Sequence, residues 1–378
     1  MTGNPLTVLW SGPAIVLASL MIAWGAEAAQ FFIAQGIALA VLALLQTMPE
    51  FAIEAVLAAK RQVPYLLANL TGALQLLTGL GWPMIYFAAS RAYRREHKAP
   101  MRVVRLTPEQ CVQILSLLAG VIYELFVWSK GALTVYDSLP LLAIYVGYLW
   151  VMRRLPPGEQ EEADEIAPVP RAIVRAPRGP RILAILVLFL IGGSGVFLVA
   201  DPFLYGLGGL AAATGISSFV FIQWVAPMVS EAPEGISAYF WARDHERASI
   251  ALMNLVSSNI SQWTLLAALL PVVLSFASHG VAGIPFDHTQ SRELLLTIAQ
   301  SLLGVLFLMD MEVAWWEVTG LFVLWATQFG FSLGPVENTV HVAVTWIYLA
   351  WCGLEVIRLL TGNRRAVAVR HFRAILRS

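Results

Sequence analysis

The chain has 378 residues, of which 58% are hydrophobic and 13% charged, against about 25% charged in an average soluble domain. That composition excludes a water-soluble globular fold. Lys and Arg number 24, as do Asp and Glu, so net charge gives no reason to expect nucleic acid, and any electrostatic argument has to be local.

A helix needs about 20 mainly apolar residues to cross a bilayer. The N-terminal ten residues carry no Lys or Arg; the first apolar run therefore lacks the basic flank of a cleavable signal and is expected to stay as a span. Apolar runs cut at charges and turn residues predict spans over 7–27, 31–58, 63–89, 110–128, 135–152, 182–200, 208–241, 247–277, 293–309, 313–331 and 339–360. Only 153–181 is clearly hydrophilic, running from Arg153-Arg154 through Glu159–Glu165 to Arg181. The chain then divides into an N-terminal transmembrane repeat (1–152), a cytosolic linker (153–181), a C-terminal repeat (182–331), and an extra helix with a basic tail (332–378). Cys111 and Cys352 sit in apolar runs and read as small buried hydrophobes.

Lys and Arg gather in the loops of one side: Arg91 to Arg105, the linker, Arg243 to Arg247, and Arg364 to Arg377. The other side holds Lys60, Arg61, Lys130 and Arg292. By the positive-inside rule the protein is multi-pass in the cell membrane, N-terminus out and C-terminus cytoplasmic. Trp82, Trp128, Trp150, Trp241, Trp263 and Trp351 fall near expected span ends and read as an aromatic belt.

Two segments repeat each other. The first motif (46–77) has Gln46-Thr47-Met48-Pro49-Glu50 and then Asn69-Leu70-Thr71-Gly72; the second (230–262) has Ser230-Glu231-Ala232-Pro233-Glu234 and then Asn254 to Asn259. Each puts Pro-Glu inside an apolar run, passes a short charged turn and returns with Asn, and the two turns lie on opposite sides. Inverted repeats with broken helices locate transporter sites near the membrane midplane. Proline frees the carbonyl four residues back, here Leu45 and Val229, at about 3 kcal/mol in an ordinary helix, and in lipid such a break survives where it lines a protein or water cavity. Thr47, Glu50 and Glu54 share one helical face, as do Glu231 and Glu234. Asn254, Ser257, Ser258 and Gln262 form a stripe on the returning helix; Asn69, Gly72 and Gln75 form a thinner one.

A charged side chain at mid-membrane costs roughly 2.5–3.5 kcal/mol on insertion scales, and clustered carboxylates disfavour one another's ionised form. No Lys or Arg lies on these faces, so the compensating charge must be bound cations, protons, or the two in exchange. Carboxylate, amide, hydroxyl and carbonyl oxygens suit hard ions such as Ca²⁺ and Na⁺.

With those motifs the sequence resembles the sodium/calcium exchanger (cation/calcium antiporter) superfamily, whose two repeats each carry a Ser/Thr-x-Pro-Glu break followed by Gly-Asn-x-x-Gly-Ser-Asn. The likeness covers about 45 residues in each half and the five-plus-five inverted layout. It implies an all-α integral membrane protein of two inverted five-helix repeats plus one extra C-terminal helix, working as a secondary antiporter. It implicates Glu50 and Glu234 as central cation ligands, Thr47 as a hydroxyl ligand, and Asn254, Ser258 and Asn259 in the second run. Glu54, Glu231, Asn69 and Gln262 complete the expected set, with Ca²⁺ and Na⁺ or H⁺ as cargo, no covalent cofactor, and lipid and small cations as partners. The first repeat departs from the pattern with Gly72-Ala73-Leu74 in place of Gly-Ser-Asn, and the second has Glu231 where a hydroxyl belongs; extra acid favours proton coupling.

Glu124, Glu317 and Glu355 are expected to be interfacial or paired, with a place in a proton path as the alternative, and His341 interfacial. Asp137 and Asp201 are expected at span ends. The chain carries no His-Glu-x-x-His, Gly-x-Ser-x-Gly, Gly-x-Gly-Asp or Walker motif, so an enzyme or a primary pump is not indicated. The competing class is a transport-inactive scaffold or sensor that keeps the exchanger fold, for which the degenerate first repeat is the argument.

Overall fold

In hydrocarbon every backbone polar group must be bonded internally, so apolar runs of this length fold as helices. A computed structural model describes residues 3–29, 31–32, 47–155, 167–334 and 337–377. The helices are α1 (Val8–Ala29), α2 (Met48–Ala59), α3 (Val63–Leu76), α4 (Trp82–His97), α5 (Cys111–Lys130), α6 (Val135–Met152), α7 (Pro168–Arg175) and α8 (Arg178–Thr214). After them come α9 (Ser218–Ser230), α10 (Ala232–Ala242), α11 (Ala248–Ser261), α12 (Ala267–Ser278), α13 (His288–Leu308), α14 (Trp315–Phe331), α15 (Glu337–Leu360) and α16 (Val367–Arg377). Among the described residues eight helical segments are long and apolar enough to cross a membrane. The shorter α2, α9, α10 and α14 lie in the remaining expected spans.

The repeat is written in the helices themselves. In each half a short helix opening on proline (Pro49 in α2, Pro233 in α10) leads through a turn into a long rod. Both rods begin with a 14-residue α-helix (α3, α11) and then widen into a five-residue π segment, Leu77–Gly81 and Gln262–Leu266. They resume as α4 and α12. Such π segments leave the regular ladder locally reorganised and are frequent at functional sites.

Two small antiparallel pairs fasten loops at the two ends of the bundle. Strand β1 (Val103–Arg105) pairs with β4 (Glu312–Ala314), and β2 (Ala132–Leu133) with β3 (Ile284–Pro285). The β1/β4 end also holds the Glu96–His245 contact at 3.4 Å and Arg364, whose Nε meets Asp310 Oδ2 at 2.9 Å. Lys60 pairs with Asp201, and Arg61 Nη2 donates to the Ala277 carbonyl at 3.3 Å. The last two contacts tie the Lys60-Arg61 turn to the helices α8 and α12.

Helix α1 lies along α8 and is admitted closely at Gly192, where a β-carbon would sit 2.7 Å from the Ala18 carbonyl oxygen. Cys111 and Cys352 are free and buried, as expected. Helix α15, beyond the two repeats, packs along α13: Tyr348 and Cys352 are buried there, with Cys352 Sγ 3.6 Å from the Ala299 carbonyl.

Several expectations are corrected. The boundary between the spans 182–200 and 208–241 is displaced: α8 runs unbroken for 37 residues, and its end comes at Gly215, in the left-handed conformation that glycine tolerates. Asp201 therefore lies inside a helix rather than at a span end. Trp82 and Trp263 are fully buried in the protein interior instead of the aromatic belt, because tertiary packing brings the rods between other helices. His341 is buried as well. The residues 33–46, with Leu45 and Gln46, and the acidic run Glu159–Glu165 lie outside the described residues.

Candidate cation site

Proline sits in the first turn of both α2 and α10, where its missing N–H costs nothing, and the glutamate after it falls in the same turn. Glu50 and Glu234 are thus each held at a helix N-terminus, whose partial positive charge favours an anion. Thr47 occupies the N-cap position of α2, and its carbonyl accepts from Phe51 N at 2.9 Å. Glu54 lies one turn beyond Glu50. Glu231 sits at the break itself, between the end of α9 and the start of α10. The expected helix break in the second half is present.

The packing of the two halves brings all four carboxylates within electrostatic reach: Glu50 interacts with Glu234, Glu231 and Glu54. Glu50, Glu54 and Glu231 are buried; Glu234 is half-buried. Their hydrogen-bond partners are neutral donors from the rods. Asn69 Nδ2 donates to Glu54 Oε1 at 3.3 Å, Ser258 Oγ donates to Glu234, and Gln262, the first residue of the second π segment, donates to Glu231. Among the described residues none of the four carboxylates forms an ion pair with Lys, Arg or His.

Among the described residues, five buried side-chain oxygens in and beside this cluster accept no hydrogen bond: Glu54 Oε2, Asn69 Oδ1, Glu231 Oε2, Gln262 Oε1 and Asn259 Oδ1. Buried acceptors are ordinarily satisfied, and a carboxylate-rich set of oxygens without nitrogen or sulfur fits a hard cation. A cavity of about 310 Å³ runs from Pro49, Ser230 and Glu234 along Asn254 and Ser257 to Glu27, Gln110 and Trp241. Its mouth is therefore at the β1/β4 end.

The expected stripe on α11 divides. Ser258 and Gln262 turn to the carboxylates, whereas Asn254 and Ser257 line the cavity wall. Ser257 is held by Gln113 Nε2 and Tyr148 Oη, each at 3.2 Å. Asn259 points to the other repeat: its Nδ2 donates to Thr78 Oγ1 in the first π segment at 2.7 Å. Glu317 and Glu355 are paired, both through Arg364, at 2.7 and 2.9 Å. Glu124 is buried, and among the described residues its Oε1 has no hydrogen-bond partner.

Sequence reasoning missed a second buried polar group. Glu293 and His341 meet at 2.7 Å, and Gln223 Nε2 donates to the same carboxylate at 2.9 Å. Gln223 breaks an otherwise apolar run, the one signal that marked it.

The sequence matches the family described as sodium/calcium exchanger protein over residues 4–153 and 184–334. Comparison with curated proteins found no match. Among solved structures the chain is similar to the H⁺/Ca²⁺ exchanger CAX, with a TM-score of 0.88 and 32% identity, over 99% of this chain and 91% of that one. It also shares its fold with native YfkE (TM-score 0.61, 17% identity, 92% and 97% covered) and with the sodium-calcium exchanger NCX_Mj (TM-score 0.57, 20% identity, 86% and 96% covered). With both repeats matched and the inverted helical architecture in place, the chain is a membrane cation exchanger, not an enzyme, and belongs to the sodium/calcium exchanger protein family.

Proposed function

We propose that this protein exchanges Ca²⁺, or a related divalent cation, for protons at the four-carboxylate cluster. One observation carries the reading: Glu50, Glu54 and Glu231, all buried, and half-buried Glu234 share a site whose partners among the described residues are neutral. Buried like charges cannot all stay ionised, and a divalent cation or protons supply the missing charge equally well. Occupancy by one excludes the other, which is the thermodynamic basis of antiport. Glu231 supports protons over sodium as the counter-ion, since it stands where the family pattern has a hydroxyl. The 32% identity to an H⁺/Ca²⁺ exchanger points the same way.

Glu50 and Glu234 would hold the cation from the two helix N-termini. Thr47, Asn69, Asn254, Ser258, Asn259 and Gln262 would supply or orient neutral oxygens, and Glu54 and Glu231 would complete the site or carry protons. With the cavity open at the β1/β4 end, where the basic loops lie, the conformation is inward-facing in the orientation set by the positive-inside rule, N-terminus out and C-terminus in. Access to the other side follows from rocking of one helix group past the other around the broken helices.

The test is Ca²⁺ flux into proteoliposomes under an imposed pH gradient, compared with a sodium gradient. Flux driven by the pH gradient and abolished in Glu50→Gln and Glu234→Gln is the expected result. Undiminished flux in both variants overturns the site; flux driven by sodium alone overturns the counter-ion. No cation flux from well-folded protein favours the scaffold reading.

A further inference from the structure

The buried pair of Glu293 on α13 and His341 on α15 belongs to no part of the cluster described above, and each residue is 1% exposed. Ionisable groups at this depth require a specific balance of protons and partners. That balance follows from the donors and acceptors around the ring. His341 Nε2 lies 3.1 Å from the Gln328 carbonyl and 3.3 Å from Ser332 Oγ. The Ser332 hydroxyl already donates to that same Gln328 carbonyl at 2.7 Å. Both contacts of Nε2 are therefore to acceptors, and Nε2 must carry a hydrogen. At the other nitrogen, Nδ1 faces Glu293 Oε1 at 2.7 Å, a contact that also needs a hydrogen between the two atoms. The second carboxylate oxygen is filled by the Gln223 amide. Together the pair holds one proton more than a neutral imidazole beside a carboxylate.

The charged groups facing the pair agree with that count. Arg292 on α13 places Nε 3.5 Å from Glu293 Oε1, and Glu337 on α15 brings its carboxylate within 4.8 Å of both residues. Helices α9, α14 and α3 contribute only neutral side chains to the pair and its extension: Gln223, Gln328, Ser332 and Gln75. With the extra proton bound the four charges of Arg292, Glu337, Glu293 and His341 cancel, whereas without it a net negative charge is left beneath the surface. A metal ion suits the site less well, because Arg292 stands beside it and both Glu293 oxygens are engaged.

The pair is also joined to the cation site. Thr297 Oγ1 donates to the Glu293 carbonyl and accepts from Gln75 Nε2, each at 2.7 Å. One turn beyond Gln75 is Thr78, which accepts from Asn259, and the neighbouring Ser258 donates to Glu234. On the other branch Gln223 belongs to α9, the helix that ends at Glu231.

We propose that Glu293 and His341 form a proton-binding site near the β2/β3 end of the bundle, opposite the mouth of the cavity, whose occupancy is coupled to the cation site through Gln223 and Gln75. The coupling rests on the proton-exchange reading given above; the proton-binding geometry does not. It gives the eleventh span a role, since α15 carries the imidazole.

Two measurements test it. Solid-state NMR of ¹⁵N-histidine-labelled protein in bilayers, with the His341 signal assigned by its loss in His341→Gln, is expected at neutral pH to show Nε2 protonated and a proton held between Nδ1 and the carboxylate. A bare Nε2 overturns the site. In proteoliposomes, the pH for half-maximal Ca²⁺ flux is expected to move by about one unit in His341→Gln and Glu293→Gln. A profile superimposable on wild type in either folded variant overturns the coupling. Sodium-driven flux would remove the counter-ion reading while leaving the NMR result to stand or fall on its own; if His341→Gln fails to fold, the His341 signal is assigned instead as the one that remains when the other five histidines are replaced by Gln.

Discussion

Gly72 is the position where helix packing and the cation site meet, and Gly72→Ala is the perturbation that tests their connection. A β-carbon there would run into the Gln223 carbonyl oxygen, its nearest neighbour, and would lie 2.7 Å from the carbonyl carbon and 3.1 Å from the α-carbon, where ordinary contact begins at 3.4 Å. The obstacle is α9 backbone, which cannot rotate away as a side chain can, so α3 and α9 must separate by at least about 1 Å, with an overpacking cost of about 1–3 kcal/mol or more. Helix α3 carries Asn69, whose amide reaches Glu54; helix α9 leads into Glu231. A displacement of about 1 Å between groups that must converge on one ion can lower a rate by about a hundredfold. The expected outcome is Ca²⁺ flux reduced by one to two orders of magnitude with a folded, modestly destabilised protein, read by proteoliposome flux beside thermal unfolding in detergent. Wild-type flux with unchanged unfolding would refute the reasoning, because it would mean that the two helices are not fixed against each other at Gly72.

Other positions separate structural charges from functional ones. Arg364 is buried and binds Asp310 and Glu355 at 2.9 Å, Glu317 at 2.7 Å and the Phe307 carbonyl at 2.6 Å; Arg364→Met leaves Glu317 and Asp310 unmatched, while Glu355 keeps Arg358 at 2.9 Å, and should cost about 3–5 kcal/mol, measured by equilibrium unfolding in mixed micelles, with partial recovery on adding Glu317→Gln. Asp201→Asn removes the Lys60 pair, whose side chains are 46% and 51% exposed, and should change stability by less than about 1 kcal/mol in the same assay. Asn259→Ala removes the 2.7 Å link from α11 to Thr78 in the first π segment and is expected to lower Ca²⁺ flux while leaving Ser258 and Glu234 paired; flux equal to wild type would make that link dispensable.

The linear sequence determined a good deal. Lipid forbids unpaired backbone, so the apolar runs could only be helices, and the basic residues, which avoid translocation, sorted the loops into two groups that the β1/β4 and β2/β3 pairs keep together. Pro-Glu recurring in both halves marked the candidate breaks, of which the one between α9 and α10 lies in the described residues, because proline cannot continue the hydrogen-bond ladder and a carboxylate cannot sit beside it in lipid without a purpose. Those signals are local and survive in one dimension. Which carboxylates share space is not local. Glu54 finds Asn69 and Glu231 finds Gln262 through helix packing, and the π segments that aim Gln262 and Thr78 leave no recognisable trace in composition. His341 read as an interfacial residue from its place at the start of a span, and that reading failed because burial depends on what a residue is packed against; Asp201 read as a span end, and that reading failed because α8 continues through it. Glu293 and His341 are 48 residues apart in the chain and become one site only when α15 closes on α13, a contact that hydropathy could not foretell because it is set by the shapes of the two helix faces and the partners between them.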